Sequence, residues 1–266
     1  MELIVDNQKV FAATGGKNFD GSRPVIVLIH GAGQDRTIWV LQTRYLAHHG
    51  FSVLAVDLPG HGQSEGPPLK TIEAMSDWVT RLLDAAEVSR AHLVGHSMGA
   101  FVAMQCAADH PDRAHKVGLV SVSEAMPVHP ELLAAAETND MRALELMNGW
   151  SLSSAGHRGG HKSPGIWMLG TGIRTVQRAA PGVLFSDFTA CVARGSLMNT
   201  AGDIEAETLL ILGSADKMTP IGSGKKVSAA IPNSRVEVID GAGHSLLLEA
   251  PGRVTQFLNA FLTHTV

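Results

Sequence analysis

The sequence predicts a doubly wound α/β fold, built on a mostly parallel sheet of about eight strands, with a helical insertion. The first observation is a series of short apolar runs, each typical of a strand buried on both faces of a parallel sheet. The second is that helical patterns separate these runs, as crossovers between parallel strands require. The apolar runs cover residues 25–29, 53–56, 92–94, 117–120, 209–212 and 236–239.

The remaining elements follow from turn residues and helical periodicity. Residues 3–6 and 9–14 indicate a hairpin around Asp6-Asn7-Gln8, because turn-forming residues separate two strand-like runs. The periodicity predicts helices over residues 38–48, 71–87, 98–109 and 253–262, and another that ends at residues 227–230.

One long region contains no convincing strand pattern. Between residues 124 and 203, helical patterns cover 130–149, 166–180 and 184–194, and glycine and proline punctuate them. We therefore predict a helical cap at 124–203, inserted into a core formed by residues 1–123 and 204–266. Ligands of such sheets bind at the carboxyl ends of the strands, so the cap is expected to cover the site.

The composition is typical of a compact globular protein, because 45% of the 266 residues are hydrophobic and 17% are charged. The net charge of −4 provides no basic surface for nucleic acid or an anionic membrane, so neither is expected as a partner. Cys106 and Cys191 do not suggest a disulfide framework, which favours a cytoplasmic location. The first residues do not resemble a signal peptide, and no apolar run is long enough to span a bilayer.

Ser97 is the candidate nucleophile. It stands in Gly95-His96-Ser97-Met98-Gly99, between a predicted strand and a predicted helix. In this context Gly-x-Ser-x-Gly is typical of a sharp turn that lifts the serine hydroxyl above the sheet. The structural alternative is an ordinary glycine-flanked turn in which the serine only caps the helix.

A serine hydroxyl needs a base to take its proton, and His244 is the candidate base. It follows the last predicted strand, from where its ring can reach back over the carboxyl edge of the sheet. Asp216 is the candidate carboxylate that orients the imidazole, and Glu124 is the rival acid. The chain order Ser97, Asp216, His244 favours Asp216.

The oxyanion of an acyl-transfer reaction needs fixed hydrogen-bond donors. The backbone N–H of Met98, the residue after the nucleophile, is one candidate. The other is expected in His30-Gly31-Ala32-Gly33, which follows a buried strand, with the N–H of Ala32 preferred and that of Gly33 next. No histidine or cysteine spacing matches a metal motif, so the reaction is expected to need neither a metal nor an organic cofactor.

Taken together, these motifs resemble the α/β-hydrolase superfamily. They are His30-Gly31-Ala32-Gly33, Asp57-Leu58-Pro59-Gly60-His61-Gly62-Gln63-Ser64, the Ser97 pentapeptide, Leu212-Gly213-Ser214-Ala215-Asp216 and Gly243-His244, in the order of the superfamily. The resemblance implies an α/β-hydrolase fold with a helical cap, and a structural rather than catalytic role for residues 57–64. Haloalkane dehalogenases and many epoxide hydrolases of this fold carry Asp at the nucleophile position, so Ser97 argues against both activities.

The expected function is that of a serine esterase, which cleaves a small to medium carboxylic ester through an acyl-enzyme. Three alternatives stay open: hydrolysis of a carbon–carbon bond in a ring-cleavage product, cofactor-free perhydrolysis, and a ligand receptor with slow turnover. The receptor is kept because residues 31–39 are similar to the oxyanion segment of bacterial stress-regulator and strigolactone-receptor hydrolases.

The cap is expected to determine substrate specificity. Its apolar side chains predict a substrate that is apolar or weakly polar. For the oligomeric state, the sequence leaves a homodimer open. Each candidate pocket residue could instead pack within the cap, as large apolar side chains usually do. The candidates are Met147, Trp150, Trp167, Phe185 and Phe188.

Overall fold

The computed structural model describes residues 1–161, 163 and 165–264. Eight strands are present among these residues, and they form one sheet. The strands are β1 (Glu2–Val5), β2 (Gln8–Ala13), β3 (Val25–Ile29), β4 (Ser52–Val56), β5 (Ala91–His96), β6 (Ala114–Val120), β7 (Glu207–Gly213) and β8 (Ser234–Ile239). Their order in the sheet is β1-β2-β4-β3-β5-β6-β7-β8.

The sheet is antiparallel at one edge and parallel elsewhere. β1 and β2 form the predicted hairpin, and β2 pairs antiparallel with β4. Every further pair, from β4 through β8, is parallel. The strand order reverses around β3, so the carboxyl ends of β3 and β5 lie side by side at the point where ligands of doubly wound sheets bind.

Helices cover both faces of the sheet, which explains why its central strands are apolar throughout. All five residues of β3 are buried, and they alternate between two core clusters. The helices are α1 (Val40–Ala47), α2 (Ile72–Ala85), α3 (Met98–Asp109), α4 (Pro130–Glu137), α5 (Met141–Ser151), α6 (Ser154–His157), α7 (Met168–Gln177), α8 (Val183–Arg194), α9 (Met198–Gly202), α10 (Ile221–Ala230), α11 (Leu246–Glu249) and α12 (Pro251–Thr263). The predicted doubly wound fold is confirmed.

The segment between β6 and β7 contains α4 to α9 and, in the part that the structure describes, no strand. The predicted helix over 130–149 is in fact two helices. Asn139 has a φ of +55°, and the side chain of Asp140 accepts the N–H of Arg142 at 2.9 Å, so one helix ends and the next is capped there. The assignment of 124–203 as a separate cap domain stays a prediction.

Within the described ranges, no helix combines the length and the apolarity that crossing a bilayer would demand.

Candidate active site

Ser97 occupies the turn between β5 and α3, and its backbone is unusual. Its φ is +55° and its ψ is −119°, a conformation that a residue with a Cβ adopts only when its surroundings impose it. The N–H of Ser97 donates to the carbonyl of Val120 on the neighbouring strand β6 at 2.9 Å. The turn is therefore held by the sheet, and Ser97 directly precedes α3 at the carboxyl edge.

Close packing explains both glycines of the Ser97 motif. A Cβ on Gly95 would overlap the backbone of Gly99 one turn later, and a Cβ on Gly99 would overlap the carbonyl oxygens of Ile29 and His30. The strand, the turn and the helix approach each other too closely for any side chain at these two positions.

His244 and Asp216 come together with Ser97 from three separate loops. The Nε2 of His244 lies 2.9 Å from the Oγ of Ser97, and its Nδ1 lies 2.9 Å from the Oδ2 of Asp216. His244 is 4% exposed and Asp216 7%, whereas Ser97 is partly exposed. The three predicted residues therefore form one continuous hydrogen-bonded chain.

Asp216 is held as a carboxylate. Burial raises its pKa, but the charge of His244, its hydrogen bond and those from Thr219 outweigh burial, so the pKa of Asp216 lies below its usual value. Asp216 stays ionised while it accepts the hydrogen bond of His244, and it thereby fixes the Nδ1–H tautomer of the imidazole. The Nε2 of His244 is then left free to accept the hydroxyl proton of Ser97.

Two further side chains fix the backbone of His244. The hydroxyl of Ser121 donates to the carbonyl oxygen of His244 at 2.8 Å, and the Nε2 of His96 lies 3.1 Å from the same oxygen. Burial lowers the pKa of His96 to about 3, so its ring is neutral and carries its proton on Nε2. His96 thus supports the base rather than competing with it.

Glu124, the rival acid, faces another partner. Its Oε1 accepts a hydrogen bond from the Nζ of Lys226 at 3.0 Å, and among the described residues no hydrogen bond joins it to His244. The geometry therefore favours Asp216 as the partner of the base.

The loop of residues 30–33, here called the oxyanion loop, is oriented by His30. Burial lowers the pKa of His30 to about 4, so the ring is neutral. Its Nε2 accepts the N–H of Leu58 at 3.1 Å, which places the ring proton on Nδ1 and lets it donate to the carbonyl of Gly31 at 2.9 Å. In a trans peptide the N–H points opposite to the C=O, so the N–H of Ala32 points away from His30.

The N–H groups of Ala32 and Met98 have no acceptor among the described residues. Ala32, Met98 and Ser97 line the same cavity. The N–H of Gly33, by contrast, donates to the Oδ2 of Asp187 at 2.7 Å and is not available to a substrate. The arrangement can hold an anionic oxygen between Ala32 and Met98, next to the serine hydroxyl.

Comparison with known proteins gives the family. The model of the alpha/beta hydrolase family matches residues 26–257, which is well over half of the chain. The chain belongs to the alpha/beta hydrolase family.

Relatives and solved structures agree with this membership. The hydrolase is 28% identical over 265 residues to an uncharacterised protein of Mycobacterium tuberculosis, with 92% of this chain and 77% of that protein covered. It is similar to the crystal structure of the enol-lactonase from Burkholderia xenovorans LB400, with a TM-score of 0.87, 25% identity, and 99% and 100% of the two chains covered. It is also similar to a thermophilic esterase, with a TM-score of 0.81, 28% identity, and 98% and 96% covered.

Among the residues that the structure describes, Ser97 lines a larger and a smaller cavity of the hydrolase. The larger has a volume of about 630 Å³ and the smaller about 30 Å³. The wall of the larger one is mostly apolar and combines residues 123–129 with side chains from α4, α5, α8 and the 217–220 loop. A cavity of this size and character accommodates a ligand of small to medium size.

Three of the five predicted pocket residues lie on these cavities and two do not. Trp150 lines the larger cavity, Met147 the smaller, and Phe188 both. Trp167 lines neither, because its side chain is 71% exposed at the start of α7. Phe185 lines neither, and it packs against the main core cluster.

Several cavity residues were not anticipated from the sequence. Met126 and Val128 follow β6, Leu132 lies on α4, and Lys217 and Met218 follow Asp216. Two of these groups come directly after parallel strands, so the rule that ligands bind at carboxyl ends would have indicated them. Within the ranges that the structure describes, no group of three or more His, Cys, Asp or Glu side chains is placed to hold a metal ion.

Proposed function

We propose that this hydrolase cleaves carboxylic esters with Ser97 as nucleophile, His244 as general base and acid, and Asp216 as the carboxylate that orients His244. The observation that carries the proposal is the continuous chain from Ser97 Oγ through His244 to Asp216, with both links at 2.9 Å. An oriented base within hydrogen-bond reach of a serine hydroxyl is the arrangement that activates such a nucleophile.

In the first half of the reaction, Ser97 Oγ attacks the ester carbonyl carbon while His244 Nε2 takes the hydroxyl proton. The carbonyl electron pair moves to oxygen, and the N–H groups of Ala32 and Met98 stabilise the resulting anion. The intermediate then collapses, the carbon–oxygen bond to the alcohol breaks, and His244 returns its proton to the leaving oxygen. Water repeats these steps on the acyl-enzyme and releases the acid.

The larger cavity supports an apolar or weakly polar ester. Its wall is mostly apolar, with Lys217 and Glu124 as its charged members, and Glu124 already pairs with Lys226. A lactone is a cyclic ester that the same steps would open, and the similarity to the enol-lactonase favours including lactones in the substrate class.

The test compares the wild type with Ser97→Ala on p-nitrophenyl butyrate and on a small lactone. We expect the substitution to lower kcat by at least about 10⁴-fold, because it removes the nucleophile of residues that act as a unit. Ser22→Ala, which removes an exposed hydroxyl, is the control and should retain full activity. Equal turnover by the wild type and Ser97→Ala would refute the assignment.

The rival functions are separated by two further measurements on the same protein. Carbon–carbon hydrolysis predicts that a dienol-diketone is consumed faster than any ester. A receptor with slow turnover predicts a burst of one product per protein, followed by negligible release. Sustained ester turnover at ordinary enzymatic rates contradicts the receptor, and ester turnover faster than that of the dienol-diketone contradicts carbon–carbon hydrolysis.

A further inference from the structure

Asp187 is a buried side chain for which the proposed mechanism has no use. It lies on α8 with no exposed surface, and its Oδ2 contacts two separate parts of the core. The N–H of Gly33 donates to this oxygen at 2.7 Å, and the Nε2 of His61 lies 2.9 Å from it. One carboxylate thus joins a helix of the 124–203 insertion to the oxyanion loop and to residues 57–64.

His61 must be charged to satisfy its contacts. Its Nδ1 lies 3.0 Å from the carbonyl oxygen of Pro59 and its Nε2 contacts Asp187, so both ring nitrogens face acceptors. Only the imidazolium donates from both nitrogens. Burial lowers the pKa of His61, but the charge and hydrogen bond of Asp187, the hydrogen bond to Pro59 and the charge of Asp57 outweigh it, and the pKa is raised.

The other charges around the pair are already matched. Asp57 pairs with Arg36 and Asp35 with Arg178, whereas His30 is neutral. The titratable groups that surround the pair from the core and from α8 are His30, Asp35, Asp57 and Cys191. The second oxygen of Asp187, Oδ1, is buried and has no hydrogen-bond partner among the described residues, so a desolvated charge is retained here at a cost to stability.

Helices of the insertion also pack against the oxyanion loop, in a contact that does not involve the Asp187 carboxylate. Gly33 has a φ of +64°, and a Cβ built on it would lie 2.7 Å from Leu184 Cδ1 and 3.0 Å from Val176 Cγ1. These two side chains belong to α8 and α7. The insertion therefore presses directly on the backbone of the oxyanion loop at the residue that Asp187 binds.

We propose that Asp187 is a positioning residue for the oxyanion hole: by holding the N–H of Gly33, it fixes the adjoining Ala32 N–H in its place beside Ser97. This inference rests on the proposed function, because it assumes that Ala32 N–H stabilises the oxyanion. Removing an oxyanion donor outright costs about 10²–10³ in kcat. Displacing one by about 1 Å costs up to about 10².

The test uses Asp187→Ala and the conservative Asp187→Asn in the full-length protein. We expect Asp187→Ala to lower kcat on p-nitrophenyl butyrate by about tenfold to a hundredfold, with KM within about threefold of wild type. Asp187→Asn should recover most of this loss at neutral pH, because its amide oxygen still accepts the Gly33 N–H. Thr200→Val is the matched control, since Thr200 is a buried polar residue on α9 that hydrogen-bonds Arg194.

A second readout does not depend on finding a good substrate. The rate at which a fluorophosphonate labels Ser97, followed by mass spectrometry, also depends on the oxyanion donors. Labelling of Asp187→Ala should slow by the same factor as kcat, while Thr200→Val labels at the wild-type rate. A wild type that is not labelled refutes the proposed function. A wild type and Asp187→Ala that label equally refute this inference alone, as does an equal loss in Thr200→Val.

Asp187→Asn distinguishes positioning from the ion pair, and it also serves if Asp187→Ala does not fold. Because the pKa of His61 is raised, the contribution of its ion pair to the free energy of unfolding is complete below about 6.5, the ordinary histidine value, and is lost as pH rises through the raised pKa. Asp187→Asn should lose this pH-dependent stability, measured by urea unfolding, and still keep most of the wild-type kcat, because its amide oxygen accepts the Gly33 N–H. A kcat for Asp187→Asn as low as that expected for Asp187→Ala overturns the proposal.

Discussion

Both oxygens of the Asp216 carboxylate accept two hydrogen bonds each. Its Oδ1 accepts the backbone N–H groups of Met218 at 2.9 Å and Thr219 at 2.8 Å. Its Oδ2 accepts the hydroxyl of Thr219 at 2.6 Å as well as the Nδ1 of His244. Thr219 is therefore a residue whose backbone and side chain both hold the orienting group in one position.

Asp216→Asn keeps the shape of this group and removes its charge. We expect kcat to fall by about 10³–10⁴-fold, because an amide no longer enforces the Nδ1–H tautomer or stabilises the imidazolium of His244. Asp240→Asn changes an exposed carboxylate that accepts from Ser214 and serves as the control. Comparable kcat values for the two variants would contradict the role of Asp216.

The same substitution has a consequence for acid stability. The pKa of Asp216 is lowered in the folded protein, so its stabilising contribution is present above about 3.8 and is lost as pH falls through the folded value. Urea unfolding at several acidic pH values should show a weaker loss of stability for Asp216→Asn than for the wild type. This measurement is independent of any substrate.

At the scale of elements, Lys116 joins the sheet to the last helix. It lies on β6 and is 6% exposed, and its Nζ donates to the carbonyls of Phe261 at 2.9 Å and His264 at 2.6 Å at the end of α12. A cation at a helix C-terminus satisfies carbonyls that have no partner within the helix and complements the helix dipole. Glu207 of β7, 2.9 Å away, completes the pairing.

Lys116→Met should lower the free energy of unfolding by about 1–3 kcal/mol, because it leaves the buried carbonyl of Phe261 without a donor and breaks the ion pair with Glu207. Lys226→Met breaks a more exposed ion pair with Glu124 and should change the free energy by at most about 1 kcal/mol. Urea denaturation of both variants measures the difference. Equal effects would show that the contacts of Lys116 with α12 do not stabilise the fold.

The elements also show where sequence patterns suffice. The helix predicted over 98–109 coincides with α3, because a glycine-rich turn before it and a change of pattern after it mark both ends. The predicted helix over 130–149 is interrupted because Asn139 adopts a positive φ, which Asn tolerates better than most residues, and Asp140 caps a new helix. Composition favoured a continuous helix here, and only the turn chemistry of these two residues indicated the break.

At the scale of the whole molecule, residues far apart in sequence meet in contacts that no local pattern indicates. The proximity of Ser97, Asp216 and His244 was predictable, because each follows a parallel strand and parallel strands bring their ends to one edge. Asp187 was not, since its partners are Gly33 and His61, and nothing in the pattern of α8 shows which face meets the oxyanion loop. Trp167, by contrast, was predicted to line the pocket because it is apolar and lies in the 124–203 segment, but its side chain is exposed.

The larger cavity, between core strands and the helices of the insertion, should set the length of the acyl chain. Leu132 lines it from α4, whereas Ser97 belongs to the core. Leu132→Trp adds volume to the cavity wall and should lower kcat/KM at least about tenfold for p-nitrophenyl octanoate, while the acetate stays within about threefold. Met141→Trp, at an exposed position on α5, is the control and should leave both substrates unaffected. A uniform loss on all chain lengths would show that this wall does not select the chain.

Met98, Met126 and Met218 all stand in the wall of that cavity. Peroxides and peracids oxidise a thioether to a sulfoxide, which turns a flexible apolar side chain into a polar one. A peracid formed at Ser97 would arise in a cavity whose wall includes these three residues. An enzyme that carried out perhydrolysis would therefore be inactivated by its own product, which oxidises the methionines of the cavity wall. The acid and alcohol released by ester hydrolysis do not oxidise sulfur.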